Sequence, residues 1–278
     1  MEKQTNFFQS NTAKIIMVGF LTLILLIPLQ FVKSLIEERS VRQKEVVSET
    51  SEKWGEAIYF YGPILKIPYK QTSEVVEFDA KTNVQVKKYV TETKLAYFFP
   101  EELKNITDVT MVKPLQRSLY KSNVFNAQMD FSGSYVFPNF KINSIADENI
   151  LWDKATIQIR TTNLKSIKSQ VNLKLGDSIY RFEPTQNKQN DSMSTLETGL
   201  VNLQSLQQNK KQNFTFKINY NGSKMIHFAP IGKTTSAKMT SNWPSPSFSG
   251  NFLKIKIVLI ISIGADFSPL SCFQYIRL

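Results

Sequence analysis

The sequence predicts a mainly β protein, in which an N-terminal transmembrane helix and a helical linker precede an antiparallel β-rich domain, sandwich-like or built of stacked sheets. Three observations favour this fold. An uncharged apolar run lies near the N-terminus, a polar segment rich in helix formers follows it, and about ten short strand-like runs then occur without long helices between them. The abundant Phe, Tyr, Val, Ile and Thr suit a half-buried pleated surface.

Residues 15–32 contain no charged side chain, and Lys14 and Lys33 bracket them. A helix over this run is about 27 Å long, close to the hydrocarbon thickness of a bilayer. A cleaved signal peptide has a shorter apolar region and a small-x-small cleavage site, which residues 30–33 do not offer. A buried core helix would show a polar face. We therefore predict an uncleaved signal anchor that places residues 15–32 in the lipid bilayer.

Residues 33–53 predict a helical linker that continues the anchor. The segment contains neither Gly nor Pro, and Glu38 and Arg42 are spaced for a same-face ion pair. Its apolar residues are too sparse for a coiled-coil seam. We expect a mostly solvated helix that ends near Trp54 and Gly55, because glycine is a natural helix stop.

The strand-like part follows the linker. Residues 84–90 and 92–99 alternate apolar and polar side chains, which is typical of half-buried strands. Hairpins are predicted across Gly176-Asp177 and across Asn221-Gly222, since both dipeptides favour tight turns. Residues 187–213, rich in Gln, Asn and Ser, predict a long loop with a little helix around residues 196–206.

Motifs for catalysis, metals or cofactors are not found in the sequence. His227 is the sole histidine and lies between Ile226 and Phe228 in a strand-like run, which favours a structural role over catalysis. No serine has a nucleophile-elbow context, and no glycine pattern predicts a phosphate cradle. The lone Cys272 allows no intramolecular disulfide. We expect no catalytic residue, no metal and no cofactor, and hence a protein that is not an enzyme.

The net charge of +11 admits two interpretations. The lysines alternate with other polar residues, which indicates solvated strand faces, and no single block predicts a nucleic-acid partner. The alternative is a basic surface that docks on anionic lipid. A further alternative is a domain that binds or hydrolyses wall sugars, in which Trp54, Trp152 or Trp243 stacks on sugar rings and carboxylates such as Asp130 and Asp153 pair.

One segment near the C-terminus is a candidate interaction loop. Two prolines within four residues favour an extended loop without ladder donors, and the tryptophan offers a large contact area. The opposing interpretation is a structural loop that covers a buried tryptophan. The candidate residues are Trp243, Pro244, Ser245, Pro246 and Phe248.

Several segments resemble one known family. They are residues 37–39, 54–55 and 61–69, then 117–120, 125–127, 131–133, 152–153 and 164–167, and finally 221–223, 228–235 and 241–253. In this order they resemble the CreD family of inner-membrane proteins, also called the cell envelope integrity protein family. The resemblance covers about residues 15–253.

The resemblance implies a bacterial inner-membrane protein that is linked with a two-component regulatory system, envelope integrity and colicin tolerance. It brings no catalytic residue and implies a non-enzymatic role through contacts with envelope proteins. The family layout places the β-rich domain in the periplasm, although the basic residues that follow the anchor predict the opposite by local charge. We adopt the family layout, because long domains translocate largely regardless of flanking charge.

Family members are longer and carry further membrane helices, so the sequence predicts a truncated or frameshifted form whose last residues are not selected structure. The apolar run at residues 257–265 is too short to span a bilayer. The predicted division is a tail at 1–14, the anchor at 15–32, the linker at 33–53, the β-rich domain at 54–253 and an aberrant tail at 254–278.

Overall fold

The structure is a computed structural model that describes residues 11–79, 84–117, 119–138, 140, 145–185, 193–208, 210–244, 247–249, 260–266 and 274–277. It contains two compact units. The first unit comprises the chain up to Thr50 together with Gln116–Ser122, and the second comprises Ser51–Leu115 and Asn123–Leu278.

Helix α1 spans Asn11–Trp54 and runs without a break through the predicted anchor and linker, so the helical linker is confirmed. Pro28 lies inside it. Gly55 ends the helix as predicted: its N–H donates to the Ser51 carbonyl at 2.8 Å, and its φ of 151° favours glycine. A Cβ at Gly55 would also overlap the carbonyl oxygen of Asn221, so this position combines a backbone requirement with a steric one.

The first unit also contains a short hairpin. Strands β4 (Leu115–Arg117) and β5 (Tyr120–Ser122) pair with each other and form a two-stranded sheet of their own. The sequence did not predict this hairpin, because each strand is only three residues long and shows no measurable alternation.

The second unit consists mainly of strands. They are β1 Ile58–Asp79, β2 Val84–Phe98, β3 Glu102–Met111, β6 Val124–Tyr135, β7 Thr156–Thr161, β8 Asn172–Leu175, β9 Ser178–Thr185, β10 Ser194–Thr198, β11 Gln212–Ser223, β12 Met225–Phe228, β13 Thr234–Ser241, β14 Ser247–Ser249, β15 Ile260–Asp266 and β16 Gln274–Arg277. The short helix α2 spans Gln204–Gln207, and single 3-10 turns occur at Asp147–Asn149, Trp152–Lys154 and Leu164–Ser166.

Within the described residues, these strands form one continuous sheet in the order β14-β16-β12-β1-β7-β10-β9-β8-β11-β6-β3-β13-β15, and β2 pairs with β1. Most neighbours are antiparallel, as predicted. Two pairs are parallel: β1 with β12 and β3 with β13. Parallel neighbours require long connections, so each of these pairs joins segments that are distant in sequence.

The core lies between two halves of this sheet. Phe60 on β1 stacks on Phe131 of β6, with ring centroids 4.3 Å apart, and Phe131 stacks on Phe216 of β11 at 4.6 Å. Phe228 on β12 also contacts Phe131, at 5.9 Å. The half with β1 and β12 therefore packs face to face against the half with β6 and β11, which confirms the stacked-sheet prediction.

The alternation predicted for the strands is present along the core strands. In β3 the side chains are exposed and buried in strict turn, and β11 shows the same period. The hairpin across Gly176-Asp177 is confirmed by the pairing of β8 with β9.

The second predicted hairpin, across Asn221-Gly222, is wrong. Strand β11 continues through both residues to Ser223 and pairs there with β6, while β12 pairs with β1 instead. The glycine serves packing rather than a turn, because a Cβ at Gly222 would collide with the ring of Phe125. The chain changes direction at Lys224, whose φ is 68°.

The loop predicted for residues 187–213 is partly wrong. Ser194–Thr198 form strand β10, in which Leu196 is buried, and helix α2 is only four residues long. Leu196 is the single apolar residue of this segment, and one apolar residue among polar neighbours does not predict a strand. In the structure, the burial of Leu196 accompanies pairing of β10 on both sides.

Candidate functional site

The membrane-spanning segment is the first functional element. Among the described residues, α1 is the helix that is long and apolar enough to cross a membrane, and none of its most apolar window is buried in the protein. The exposed side chains include Ile15, Phe20, Leu25 and Phe31. Such a continuous apolar surface suits lipid, whereas a soluble core helix would be covered by the protein itself, so α1 is a candidate membrane span.

The β4–β5 hairpin contacts α1 beyond the apolar segment. The guanidinium of Arg117 pairs with the carboxylate of Glu49, and the hydroxyl of Tyr120 donates to the Arg39 carbonyl at 3.5 Å. These two helix positions are about 15 Å apart along the axis. The hairpin therefore braces the helix at two levels, and Leu119 at its tip is 77% exposed.

The predicted interaction loop begins at a fixed point on the sheet. The backbone N–H of Met111, at the end of β3, donates to the Asn242 side-chain oxygen at 2.7 Å. The N–H of Asn242 in turn donates to the Val109 carbonyl at 3.4 Å. These bonds hold the start of the loop beside β3.

The described loop residues differ in exposure, so they do not decide between an interaction loop and a structural loop that covers a buried tryptophan. Trp243 is half-buried, and its backbone N–H donates to the Ser241 hydroxyl at 3.1 Å, whereas Pro244 is exposed. Phe248 lies in β14. Ser245 and Pro246 lie outside the residues that the structure describes. The role of this loop in binding stays a prediction.

His227 lies in β12 and is buried by its neighbours. Its ring stacks on Tyr59 with centroids 4.0 Å apart and planes 10° from parallel, and Nε2 lies 2.8 Å from the Met225 sulfur. Burial lowers the pKa of His227, so the neutral ring is favoured. The position in a strand agrees with the sequence, which predicts a hydrogen-bonded structural role; the contacts seen are with an aromatic ring and a thioether.

A separate cleft lies beside the 3-10 turn that carries Trp152. It measures about 600 Å³ and is lined by Ile150, Trp152, Asp153, Tyr180, Leu200, Val201, Asn202, Leu203, Gln204 and Gln207. Trp152 packs against Phe137 and against Phe140, each with ring centroids 5.7 Å apart, and is half-buried. The indole is thus held by its aromatic neighbours at the wall of the cleft.

Hydrogen bonds fix the opposite wall of this cleft. The N–H of Asn202 donates to the Tyr180 hydroxyl at 2.9 Å, and the N–H of Gln204 donates to the Asn202 side-chain oxygen at 2.9 Å. Gln212 also donates to the Asn202 carbonyl, at 3.1 Å. An aromatic ring, side-chain amides and one carboxylate, that of Asp153, therefore face the same space.

The two carboxylates singled out in the sequence have different surroundings. Asp130 on β6 pairs with Lys217 on β11 at 3.1 Å, while Asp153 lines the cleft. Several other lysines on the sheet also have acidic partners. These pairs are Lys66 with Glu197, Lys87 with Glu74, Lys211 with Glu102, and Lys233 with Glu101. Pairing of the exposed Lys87, Lys211 and Lys233 fits the interpretation of the lysines as solvated strand faces, whereas Lys66 is largely shielded from water.

A search of the described residues finds no group of three His, Cys, Asp or Glu side chains placed to hold a metal ion. The sequence analysis missed the hairpin tip and most of the cleft. A weak signal for the tip was present in the apolar pair Leu119-Tyr120 between basic residues, whereas the cleft joins residues 150–153, 180 and 200–207 only through the sheet.

Two comparisons of the sequence, one with protein families and one with individual proteins, match the same family. The family model described as Inner membrane protein CreD matches residues 10–256. The Inner membrane protein CreD of Escherichia coli (strain K12) is 23% identical over 234 residues, which cover 84% of this chain and 49% of the relative. The chain thus spans about half the length of the curated relative that it matches.

Among solved structures, native leukotriene A4 hydrolase from Saccharomyces cerevisiae is 14% identical with a TM-score of 0.32, over 63% of this chain and 29% of that one. An M1 zinc metallopeptidase from Deinococcus radiodurans is 7% identical with a TM-score of 0.26, over 64% of this chain and 42% of that one. Structural likeness at these TM-scores supports no conclusion about fold or activity.

Proposed function

Because the chain belongs to the CreD family of inner membrane proteins, we propose that it contributes to cell envelope integrity without catalysing a reaction. In this proposal α1 is anchored in the plasma membrane and the β-rich domain lies in the periplasm, where it contacts other envelope proteins. The observation that carries the proposal is the exposed apolar surface of α1, which leads without interruption into a folded sheet domain.

The packing of His227 supports a non-enzymatic role. A triad or histidine-dependent metal site would have to use this residue, since the sequence has no other histidine. Its ring is instead held between Tyr59 and Met225. These contacts are those of a packed structural side chain, which supports the proposal of a non-enzymatic role.

Contact with partners is assigned to the loop that follows β13. Asn242 ties the loop to β3, and Pro244 faces solvent beside the half-buried Trp243. Because Asn242 is held beside β3, the start of the loop loses little conformational entropy when a partner binds. The half-buried indole would supply apolar contact area at the edge of the sheet.

The topology is tested by treating spheroplasts with protease before and after lysis. A periplasmic domain is cleaved from outside in intact spheroplasts. A β-rich domain that resists the protease until lysis would place it in the cytoplasm and refute this part of the proposal.

The contact is tested with the full chain in membranes of a strain that lacks the native gene. A photo-crosslinking residue replaces Pro244, and the same residue at the exposed Ile179 on β9 serves as the matched control. We expect a defined adduct at position 244 only, and its loss in the variant Trp243→Ala. The same variant should fail to restore resistance to envelope stress, whereas Ile179→Ala should restore it.

A second candidate function is saccharide binding in the cleft beside Trp152. The specific observation is the combination of a fixed indole, the Tyr180 hydroxyl and the side chains of Asn202, Gln204 and Gln207 around one space. Aromatic faces and planar amides are the groups that commonly contact sugar rings and hydroxyls. The lining residues provide one carboxylate, whereas glycoside hydrolysis ordinarily uses a pair, so binding is favoured over hydrolysis.

This second function is tested by titrating the detergent-solubilised full chain with soluble peptidoglycan fragments. Gln207→Ala should weaken binding by about tenfold if one amide hydrogen bond to the sugar is lost. Gln128→Ala, on the exposed face of β6, is the control and should bind normally. Absence of binding by the unmodified chain would remove this candidate.

A further inference from the structure

The β4–β5 hairpin lies close to the end of the membrane-spanning segment. Exposed apolar side chains continue along α1 beyond residue 32, at Leu35 and Ile36. Arg39 follows Ile36 by three residues, which is about 4.5 Å along the helix. The headgroup layer on each side of the hydrocarbon core is about 5–8 Å thick. The Arg39 carbonyl, to which the Tyr120 hydroxyl donates, lies about 4.5 Å beyond Ile36 and about 10 Å beyond Val32, the end of the anchor, and thus in the headgroup layer or at its outer margin.

The composition of the hairpin suits that depth. Leu119 at the tip is 77% exposed, although nothing in a water-soluble turn requires a leucine there. Tyr120 beside it has an apolar ring and a polar hydroxyl, as is typical of residues at the membrane interface. Apolar tips flanked by tyrosine and basic residues are characteristic of segments that rest in the interface.

The charge of the hairpin is uniformly basic. Residues 115–122 contain Arg117 and Lys121 and no acidic residue. Arg117 is paired with Glu49 on the helix, whereas Lys121 is exposed. Basic side chains at headgroup depth are attracted to the phosphates of anionic lipids.

We propose that the β4–β5 hairpin is a second membrane contact, in which Leu119 and Tyr120 enter the headgroup layer of the bilayer that α1 spans while Lys121 binds anionic phospholipid phosphates. The occupant of this surface is the lipid headgroup layer itself, because the surface is continuous with the membrane-spanning helix. The inference goes beyond the proposed function and rests on the insertion of α1.

The consequence is a two-point attachment. A lone helix rotates and tilts in the bilayer, whereas a helix braced at Arg39 and Glu49 by a hairpin that is itself seated on the lipid has a fixed orientation. Fixing α1 in this way also fixes the direction in which the chain leaves the membrane.

The test uses the full chain in vesicles, with Cys272→Ser as the background and one environment-sensitive fluorophore on a single introduced cysteine. Three positions on α1 serve as depth references: Leu25→Cys in the hydrocarbon core, Ser34→Cys at the boundary between the core and the headgroups, and Glu45→Cys in water. Leu119→Cys is the position under test. Lipids with a spin label on the headgroup quench probes at headgroup depth.

We expect quenching at Leu119→Cys within about twofold of that at Ser34→Cys and at least about fivefold above that at Glu45→Cys. Quenching at Leu119→Cys no greater than at Glu45→Cys overturns the proposal. A fluorophore at Leu119→Cys that is shielded from water equally in detergent and in vesicles also overturns it, because the protein itself then covers the probe. If acyl-chain labels fail to quench Leu25→Cys, α1 is not inserted, which overturns the proposed function together with this inference.

The lipid charge is tested with the same probe. Quenching should be about twofold greater in phosphatidylglycerol vesicles than in phosphatidylcholine vesicles, and Lys121→Gln or high salt should remove that difference. Lys53→Gln is the matched control, since Lys53 is an exposed lysine of α1 that lies about 25 Å beyond Ile36. Equal quenching in both lipids, or an equal effect of Lys53→Gln, would refute the assignment to anionic headgroups.

Discussion

Lys66 on β1 and Glu197 on β10 form an ion pair across the strand that separates them, with side chains only 17% and 16% exposed. The hydroxyl of Thr156, on the intervening strand β7, donates to the same carboxylate oxygen. Three neighbouring strands are thus joined by one half-buried polar cluster.

Replacing one partner of this pair should destabilise the domain. Lys66→Met leaves the Glu197 carboxylate shielded from water without its cation, and we expect the free energy of unfolding to fall by about 2 kcal/mol, less than for a fully buried pair. Urea unfolding of the full chain in detergent, followed by tryptophan fluorescence, measures this change.

Two variants control for this prediction. Lys87→Met breaks the pair with Glu74, whose side chains are 69% and 37% exposed, and should cost less than about 0.5 kcal/mol. The double variant Lys66→Met with Glu197→Leu should recover much of the loss, since it removes the charge as well. A double variant as unstable as the sum of the single ones would show that the two residues are not coupled.

Removing the hydroxyl groups of two buried tyrosines should change the stability of the domain in opposite directions. The Tyr220 hydroxyl lies 2.7 Å from that of Thr161, whereas the Tyr135 hydroxyl is buried without a partner among the described residues. Tyr220→Phe should cost about 1 kcal/mol, and Tyr135→Phe should be neutral or stabilising by up to about 1 kcal/mol. Thermal unfolding of both variants checks the signs, and destabilisation of the same size in both would contradict this account.

Substitution of Gly55, the glycine that ends α1, should strongly destabilise the protein. Gly55→Ala combines a φ of 151° with a Cβ that overlaps the Asn221 carbonyl, so we expect a loss of about 3 kcal/mol or failure to accumulate in the membrane. The control is Gly199→Ala, where a Cβ meets no atom within 4 Å. Immunodetection in membrane fractions compares the two, and normal amounts of Gly55→Ala would refute the steric argument.

Burial of His227 should make stability depend on pH. Burial lowers the pKa of His227 in the folded state below the value of about 6.5 expected for the unfolded chain, so the unfolded state binds the proton more readily. This contribution to stability is therefore present above about pH 6.5 and is lost as the pH falls through the folded-state pKa.

Urea midpoints measured between pH 8 and pH 5 test this dependence. They should fall towards the acid end in the unmodified chain, and His227→Phe, which retains an aromatic ring against Tyr59, should flatten the profile. An unchanged slope in that variant would assign the dependence to other groups.

The sequence predicted the fold where a residue's neighbours in the chain decide its structure. The helix through residues 15–53, its end at Gly55 and the hairpin across Gly176-Asp177 all depend on local composition and turn chemistry. The face-to-face packing of the sheets also followed from alternation and from the lack of long helices.

The errors arose where distant segments decide the structure. Asn221-Gly222 is a good turn dipeptide, yet β11 continues through it because β6 offers a complete row of hydrogen-bonding partners. The hairpin tip at Leu119 and the cleft beside Trp152 depend on the placement of separate elements, which no local pattern encodes. For the candidate site, the position of His227 in a strand was predicted from its neighbours in the chain, whereas its structural role and the interaction loop at Trp243 stay predictions.

The parallel pairing of β1 with β12 has a consequence for how the protein is made. Ile58 and Phe60 leave the ribosome long before their partners Ile226 and Phe228 exist, and about 165 residues of chain must close into a loop before this register forms. Topologies with such distant contacts fold slowly, so the apolar side chains of β1 stay exposed to solvent until β12 has been synthesised. A nascent chain already tethered to the bilayer by α1 would therefore depend on holdase chaperones more than the finished protein does.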